Sequence, residues 1–296
     1  MSSALFEPTF NPIRASQHGD GPIWEQSDAA QARLALVIPT LREAENIGAL
    51  LDRVRAALDP LSVAYEILVV DDDSRDGTAE IVSASAIRDP RIRLLVRTGE
   101  RGLSGAILYG WQQTDADVLA VMDADHQHPP ELLPQLFRAM QQERDLAIGS
   151  RYTCGGNLGR WRLTRRLVSV CAIWLTRPLR KVRLRASDPM SGFFMVRRQC
   201  LNEIRFQRSG FKLLLEILMR GRIRSVAEIP FEFGMRYRGV SKANLKVAGD
   251  YLRLLIRLYI DSLGLQIKPD DRTIALISDQ RACELGASTA GSRHTA

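Results

Sequence analysis

The chain has 296 residues, of which 45% are hydrophobic and 25% charged, and its formal net charge is +7. This composition is that of an ordinary globular protein with a sizeable core, arranged as one large domain or two small ones. Its four cysteines are scattered without metal-ligand or redox spacing, which argues against a disulfide framework and favours a reducing compartment. The first residues do not resemble a signal peptide, and no apolar stretch approaches the roughly 20 residues that span a bilayer.

Strands and helices alternate in the first half of the chain. Residues 1–32 carry polar residues, proline and glycine without periodicity and are predicted to be a disordered leader. The elements predicted after it are strand 34–38, helix 43–58, strand 65–70, helix 77–86, strand 92–96, helix 104–113, strand 117–122, helix 131–142 and strand 146–148. This alternation predicts an α/β fold with a mainly parallel sheet flanked by helices on both faces.

The second half of the chain is less regular. A strand is predicted at 193–196, a helix at 212–220 and an extended segment at 225–233. Polar residues recur at helical spacing within 243–265, which predicts an amphipathic helix with a broad apolar face. That face either packs on the domain or contacts lipid or a membrane-spanning partner. Residues 266–296 are predicted to be a flexible tail.

A strongly basic segment lies at residues 158–185. It holds nine arginines and lysines and no acidic residue, and apolar side chains such as Trp161 and Trp174 lie between them. This pattern favours an interfacial segment on an anionic membrane surface, and no nucleic-acid-binding motif accompanies it. A solvated charged face is the simpler alternative.

The most informative motif follows the predicted strand 117–122. It reads Asp123-Ala124-Asp125-His126-Gln127-His128-Pro129-Pro130-Glu131. Carboxylates at the C-terminal end of a strand in an open α/β sheet lie where such sheets bind ligands. Oxygen ligands suit Mg²⁺ or Mn²⁺, which bridge to substrate phosphates. A solvated acidic turn is the alternative interpretation.

Three further segments end predicted strands at the same edge: Pro39–Glu43, Asp71–Ser74 and Gly149–Arg151. So many like charges are costly unless a cation or donor groups compensate, and a divalent ion with a nucleotide diphosphate would do so. The chain lacks the phosphate loop of P-loop ATPases and lacks a Gly-x-Gly-x-x-Gly after its first strand, so neither a P-loop ATPase nor a dinucleotide oxidoreductase is expected.

The two histidines of the acidic motif are not predicted to be catalytic bases. His128 precedes two prolines, which suit the first turn of a helix, and we expect it to have a structural role at that helix start. His126 is expected to be exposed to solvent.

Six motifs in order resemble one known family. They are Pro39-Thr-Leu-Arg-Glu43, Asp71-Asp-Asp-Ser-Arg-Asp-Gly-Thr78, Asp123–Glu131, Gly149-Ser-Arg-Tyr152, Ser191-Gly-Phe193 and Arg236-Tyr-Arg-Gly-Val-Ser-Lys242. Together they resemble the family 2 glycosyltransferases of the dolichol-phosphate mannose synthase type, including bacterial polyprenyl-phosphate mannose synthases. The resemblance covers roughly residues 33–262 and implies a GT-A-type catalytic domain at 33–242 with C-terminal amphipathic interface helices.

The resemblance also implies roles for individual residues. Implied donor-binding residues are Pro39, Leu41, Glu43, Val69, Asp71, Asp123, Ala124, Asp125, Gln127, Arg151, Arg236 and Lys242. Within this set the implied catalytic residues are Asp123, Asp125, Arg151 and Arg236, the implied Mg²⁺ or Mn²⁺ ligands are Asp125 and Gln127, and the implied acceptor-phosphate ligands are Arg151, Arg236 and Lys242. Leu41 departs from the family, which usually has a tyrosine there, and leucine offers the base only apolar contact.

The activity implied is inverting, metal-dependent transfer of mannose from GDP-mannose to a polyprenyl monophosphate. The implied location is the cytoplasmic face of the membrane, as a peripheral protein without a transmembrane helix. The acceptor phosphate, with a second pKa near 6, is largely dianionic at neutral pH and needs orientation rather than a general base. Two alternatives stay open: transfer from UDP-glucose or another UDP-sugar, and an inactive scaffold subunit that binds a nucleotide sugar. The need for a membrane-spanning partner subunit also stays open.

Overall fold

The computed structural model describes residues 33–99, 101–153, 174–176, 186–202, 204–207, 212–234, 245–263 and 273–276. The predicted leader at 1–32 therefore lies outside the described residues, as do Arg236, Lys242 and most of the basic segment 158–185.

Seven strands form the central sheet. The described strands are β1 (Leu34–Thr40), β2 (Tyr65–Asp71), β3 (Ile92–Val96), β4 (Val118–Val121), β5 (Leu146–Ser150), β6 (Phe194–Arg197), β7 (Arg205–Gln207), β8 (Val226–Pro230) and β9 (Thr273–Ala275). The sheet has the order β3-β2-β1-β4-β6-β5-β8, while β7 and β9 pair separately. Within the sheet β6 is antiparallel to both neighbours and the other pairings are parallel, which confirms the mainly parallel sheet.

Helices cover both faces of the sheet, as predicted. The described helices are α1 (Ala44–Leu58), α2 (Thr78–Arg88), α3 (Leu103–Gln112), α4 (Leu133–Gln141), α5 (Leu213–Arg220) and α6 (Leu245–Ser262). Alternate residues of β1 point to opposite faces. Val37 therefore lies in the buried apolar cluster that includes residues of α3 and α5, whereas Leu36 lies in the cluster that includes residues of α1 and α4. The sequences of these strands are therefore continuous apolar runs, because both faces of the sheet are buried.

Two successive arginines at the C-terminal end of β6 bind helix ends on opposite faces. Arg197 donates to the Met140 carbonyl at the end of α4 at 2.6 Å. Arg198 donates to the carbonyls of Thr114 and Ala116, just after α3, at 2.7 Å each. The end of this short antiparallel strand and the residue after it thus tie both helical layers to the sheet.

Helix α6 packs on the domain with one face and exposes another. Leu254, Leu255 and Leu258 are buried against Met190 and Leu215. An ion pair between Arg220 of α5 and Asp261 adds a polar anchor at the C-terminal end of the helix.

The exposed face of α6 is apolar. Leu252, Ile256, Tyr259 and Leu263 are each at least half exposed, and their spacing places them on one side of the helix. Among the described helices, none combines the length and apolar character needed to cross a membrane.

Strands β7 and β9 were not predicted. Residues 205–207 pair with residues 273–275, which lie within the segment predicted to be a flexible tail. Two strands of three residues each carry too little periodic pattern to be recognised before the pairing is known.

Candidate active site

The C-terminal ends of β1, β2, β4 and β5 lie along one edge of the sheet. Thr40 at the end of β1 is in register with Asp71 at the end of β2, and Val37 with Val121 of β4. Because β6 is antiparallel, the segment that enters it, Ser191–Phe193, lies at this same edge. The structure thus brings together the segments that the sequence predicted, and adds one more.

The Asp71 carboxylate holds the turn between β2 and α2. It is buried, and it accepts hydrogen bonds from the Thr40 hydroxyl at 2.7 Å and the Ser74 backbone N–H at 2.8 Å, together with one from the Ser74 hydroxyl. The Arg42 backbone N–H extends this network, because it donates to the Ser74 hydroxyl at 2.8 Å. A separate bond beside it joins the Glu43 backbone N–H to the Thr78 hydroxyl at 3.0 Å. Asp71 therefore ties the ends of two strands, and its donor-binding role stays a prediction.

The other implied donor residues of β1 and β2 differ in accessibility. Pro39, Leu41 and Glu43 are half-buried at the edge. Val69 is fully buried in the core, and a contact with a donor would therefore involve its backbone and not its side chain.

Asp72 and Asp73 connect this turn to the segment before α3. Asp72 pairs with Arg97 at 2.9 Å and accepts the Gly102 backbone N–H at 2.8 Å. Burial raises the pKa of Asp72, although both contacts act in the opposite direction. Asp73 has a positive φ of 53°, and its carbonyl accepts a hydrogen bond from Arg101 at 3.0 Å. These basic partners were not identified from the sequence.

The acidic motif presents three oxygen-bearing side chains from one turn after β4. The Asp123 side chain is 36% exposed, whereas Asp125 and Gln127 are nearly buried. Asp125 accepts the Gln127 backbone N–H at 3.1 Å. The Gln127 side-chain amide donates to the Gly234 carbonyl at 3.3 Å, and the Gly234 backbone N–H donates to the Gln127 carbonyl at 3.1 Å. Gln127 is therefore held in one orientation by a residue far away in sequence.

His126 is engaged and not simply exposed to solvent, which corrects the sequence expectation. Its Nε2 lies 3.1 Å from the Asn46 carbonyl, and its Nδ1 lies 3.0 Å from the Arg53 guanidinium. Arg53 also donates to both carboxylate oxygens of Glu131. His126 adopts a positive φ of 60°, a conformation that is costly for a non-glycine residue and that clusters at functional sites. Its contacts fasten the motif to α1.

His128 is buried within aromatic side chains. Its ring stacks on Phe193 at 5.1 Å and meets Phe231 and Phe233 edge-on. Its Nδ1 accepts the Asp123 backbone N–H at 3.1 Å. Burial lowers the pKa of His128. The sequence predicted a role at the helix start, whereas the observed contacts are with the Asp123 turn.

Arg151 lies at the same edge in a buried ion pair. Its Nε and Nη2 donate to the two carboxylate oxygens of Asp188 at 2.7 and 2.8 Å, and its guanidinium lies over the Phe233 ring at 5.2 Å. Burial alone would lower the pKa of Arg151, but the bonds and charge of Asp188 outweigh it and the net shift is upward. Glu228 in turn accepts the backbone N–H groups of Ser187 and Asp188.

Several residues of the site were missed by sequence reasoning. Asp188, Phe233 and Gly234 come from segments more than 30 residues away from their partners at Arg151 or in the acidic motif. Glu228 is similarly distant in sequence from Ser187 and Asp188, whose backbone it holds. No local spacing signals such pairs. Arg236 and Lys242, which the resemblance placed here, lie outside the described residues.

The fold defines a class of protein. Glucosyl-3-phosphoglycerate synthase from Mycobacterium tuberculosis, solved in complex with Mn²⁺, UDP and glucosyl-3-phosphoglycerate, aligns with a TM-score of 0.57 at 20% identity, covering 80% of this chain and 82% of that one. Mannosyl-3-phosphoglycerate synthase from Rubrobacter xylanophilus aligns with a TM-score of 0.59 at 18% identity, covering 80% of this chain and 77% of that one. The sheet with its edge of acidic turns is therefore a glycosyltransferase fold of the GT-A type.

The family follows from the sequence match. Residues 35–205 match the model described as glycosyl transferase family 2, and the chain belongs to this family. It is a glycosyltransferase.

Curated relatives share more of the sequence. A dolichol-phosphate mannosyltransferase from Pyrococcus furiosus is 43% identical over 227 residues, which are 76% of this chain and 63% of that protein. Proteins of the same name from Mycosarcoma maydis and Saccharomyces cerevisiae are each 38% identical, covering 88% and 78% of this chain and 88% of each relative. The chain thus spans less than two thirds of the Pyrococcus protein but most of the two fungal ones.

Proposed function

We propose that this enzyme transfers mannose from GDP-mannose to a polyprenyl, dolichyl-type monophosphate with inversion at the sugar carbon, and that Mg²⁺ or Mn²⁺ is required. One observation carries the proposal: Asp123, Asp125 and Gln127 form one turn at the sheet edge, with Gln127 already oriented by Gly234. The names of the curated relatives support mannose as the sugar and a dolichyl phosphate as the acceptor.

The side chains present suit a hard divalent cation. Asp125 and Gln127 would hold it through oxygen atoms, because the amide nitrogen of Gln127 is engaged with the Gly234 carbonyl. Within the described part of the chain, no group of three His, Cys, Asp or Glu side chains could hold a metal by itself. This small protein ligand set suits Mg²⁺, which is usually held by one or two carboxylates together with substrate phosphates.

The chemistry needs charge compensation and orientation. When bound, the cation supplies positive charge that stabilises the leaving nucleotide diphosphate. Arg151, Arg236 and Lys242 are proposed to bind phosphates of the donor or the acceptor. The acceptor monophosphate is already largely dianionic near neutral pH, so that the site must orient and desolvate it but need not deprotonate it. Direct attack opposite the leaving group gives inversion.

A transfer assay tests the proposal. We expect the purified protein to move label from GDP-mannose into organic solvent when a polyprenyl phosphate and Mg²⁺ or Mn²⁺ are present. Label transferred instead from UDP-glucose would overturn the choice of donor and favour a UDP-sugar transferase. That alternative stays open because Leu41 stands where the family usually has a tyrosine. Binding of either nucleotide sugar without any transfer would favour the scaffold alternative.

We further propose that the enzyme works as a peripheral protein on the cytoplasmic face of the membrane. The exposed apolar face of α6 supports this proposal, because Arg253 and Arg257 on the same helix could contact anionic headgroups. The basic, tryptophan-bearing sequence of the segment 158–185 supports the same surface. Such an arrangement would place the site close to the phosphate of a membrane-embedded acceptor.

Vesicle binding tests the membrane proposal. Replacing Leu252 and Ile256 together by serine is expected to weaken binding to anionic vesicles at least about tenfold, because apolar area is lost from the interface while no core is disturbed. Ile87→Ser, on the exposed surface of α2, is the matched control. Wild-type binding should weaken as salt rises. An equal loss in the control, or no loss in the double variant, would contradict a role of α6.

A further inference from the structure

The acidic motif begins where the backbone hydrogen bonds between β4 and β1 end. Strand β4 pairs with β1 as far as Val121, and the next amide, that of Met122, still donates to the Val37 carbonyl at 3.2 Å. The following amide, that of Asp123, donates to His128 Nδ1 at 3.1 Å instead. Leaving a buried amide of this kind unsatisfied costs about 1–3 kcal/mol. The imidazole thus takes the place of a strand partner and closes the turn between Asp123 and His128.

The imidazole is held in place on several sides. Phe193 stacks on it, and Phe231 and Phe233 meet it at 5.9 and 5.8 Å. On a further side stands Gly192, where a Cβ atom would lie 3.3 Å from both His128 Cε1 and Asp123 Oδ2. A ring so enclosed has little freedom to rotate, and its Nδ1 therefore points in one direction.

The hydrogen bond identifies the tautomer. An N–H donor requires a lone pair on Nδ1, so that the ring proton resides on Nε2. The 3.7 Å between Nδ1 and the Asp123 carboxylate is accordingly not an ion pair, because a neutral ring carries no charge. What His128 orients directly is the Asp123 backbone.

We infer that His128 is a positioning residue for the acidic motif: its Nδ1 sets the backbone of Asp123, and thereby the directions of the Asp123 and Asp125 carboxylates. The inference rests on the proposed function, in which these carboxylates meet the nucleotide diphosphate and its cation. A displacement of about 1 Å in a catalytic group costs on the order of a hundredfold in rate. Within the motif, Asp123, Asp125 and Gln127 are thus proposed to face the substrate, whereas His126 and His128 attach the motif to the rest of the fold.

The competing explanation is that His128 only fills the core. Two substitutions that match each other in shape distinguish the two explanations. His128→Asn places an oxygen acceptor where Nδ1 stood, whereas His128→Leu has the same shape and no acceptor. Both lose the ring. If His128 only packs, the His128→Leu variant should be the more stable and the better binder of the two, because a buried amide group is costly among phenylalanines. If His128 positions the motif, the His128→Asn variant should keep the higher affinity, because asparagine can still accept the hydrogen bond from the Asp123 backbone N–H.

The experiment compares both variants with the wild type in three measurements: thermal unfolding, calorimetric affinity for GDP with Mn²⁺, and amide hydrogen exchange of a peptide containing Asp123. We expect His128→Leu to bind GDP with Mn²⁺ at least about tenfold more weakly than His128→Asn and to exchange faster, even though it melts no lower. Phe137→Leu, a core truncation in α4, controls for general loss of stability.

Each other outcome decides the matter. The inference fails if His128→Leu keeps wild-type affinity and exchange, or if affinity simply follows the melting temperature across the variants. If His128→Asn does not fold, His128→Phe, which retains an aromatic ring without the acceptor, must show the loss relative to wild type. Failure of the wild type to bind GDP with Mn²⁺ would overturn the proposed function, and the exchange measurement would still decide the role of His128.

Discussion

Asp125→Ala is expected to lower sugar transfer by at least about a thousandfold while the protein remains folded. The residue is proposed to hold the divalent cation, and cation stabilisation of a transition state is worth several kcal/mol. Asp125 lies at the sheet edge and contributes no apolar packing, so that its loss leaves the apolar core on the two faces of the sheet intact. Transfer is measured with the labelled donor, and folding by circular dichroism and thermal melting.

Two further variants distinguish a metal-binding role of Asp125 from a role in holding the turn. Asp125→Asn keeps an oxygen acceptor for the Gln127 backbone N–H but removes the negative charge, and it should lose nearly as much activity as the alanine variant. Glu131→Gln changes a carboxylate of the same motif that is 61% exposed and pairs with Arg53, and it should retain transfer within about twofold. Full activity of Asp125→Asn, or of wild type in excess chelator, would contradict the metal assignment.

The acidic turns could be predicted from sequence because their signal is local. Each follows an apolar run that forms a strand buried on both faces, and parallel strands bring their C-terminal ends to one edge. Asp123–Gln127 and Gly149–Arg151 were therefore placed correctly once β4 and β5 were recognised. The prolines after His128 likewise marked the start of the helical turn at Pro130–Leu132.

What could not be predicted depends on contacts that are distant in sequence. The antiparallel direction of β6 brings Asp188 and Phe193 to the edge, and a run of four apolar or basic residues carries no information about strand direction. His126 could not be placed either, because its partners on α1 are some 80 residues away. The residues predicted to carry chemistry were thus identified in the sequence, whereas the residues that hold them in place became visible only in the fold.

Asp188→Ala is expected to lower the free energy of unfolding by about 3–5 kcal/mol and to abolish most of the transfer activity. The Asp188 side chain is fully buried, and that of Arg151 is 9% exposed. Removing the carboxylate leaves a guanidinium buried without the partner that accepts two of its hydrogen bonds. As a matched control, Glu131→Ala breaks the exposed pair with Arg53 and should cost less than about 1 kcal/mol. Urea unfolding measures both values.

A double substitution then distinguishes a structural from a chemical role of Arg151. Replacing a buried ion pair by apolar residues of similar size is often neutral or stabilising, so that Arg151→Met with Asp188→Leu should recover most of the stability lost in Asp188→Ala. If Arg151 binds a phosphate of the donor or acceptor, as proposed, transfer will stay low despite the recovered stability, because methionine offers no hydrogen bonds to phosphate. Recovery of transfer together with stability would show that the pair only supports the fold at this edge, and that the phosphate ligands must be sought in the segment carrying Arg236 and Lys242.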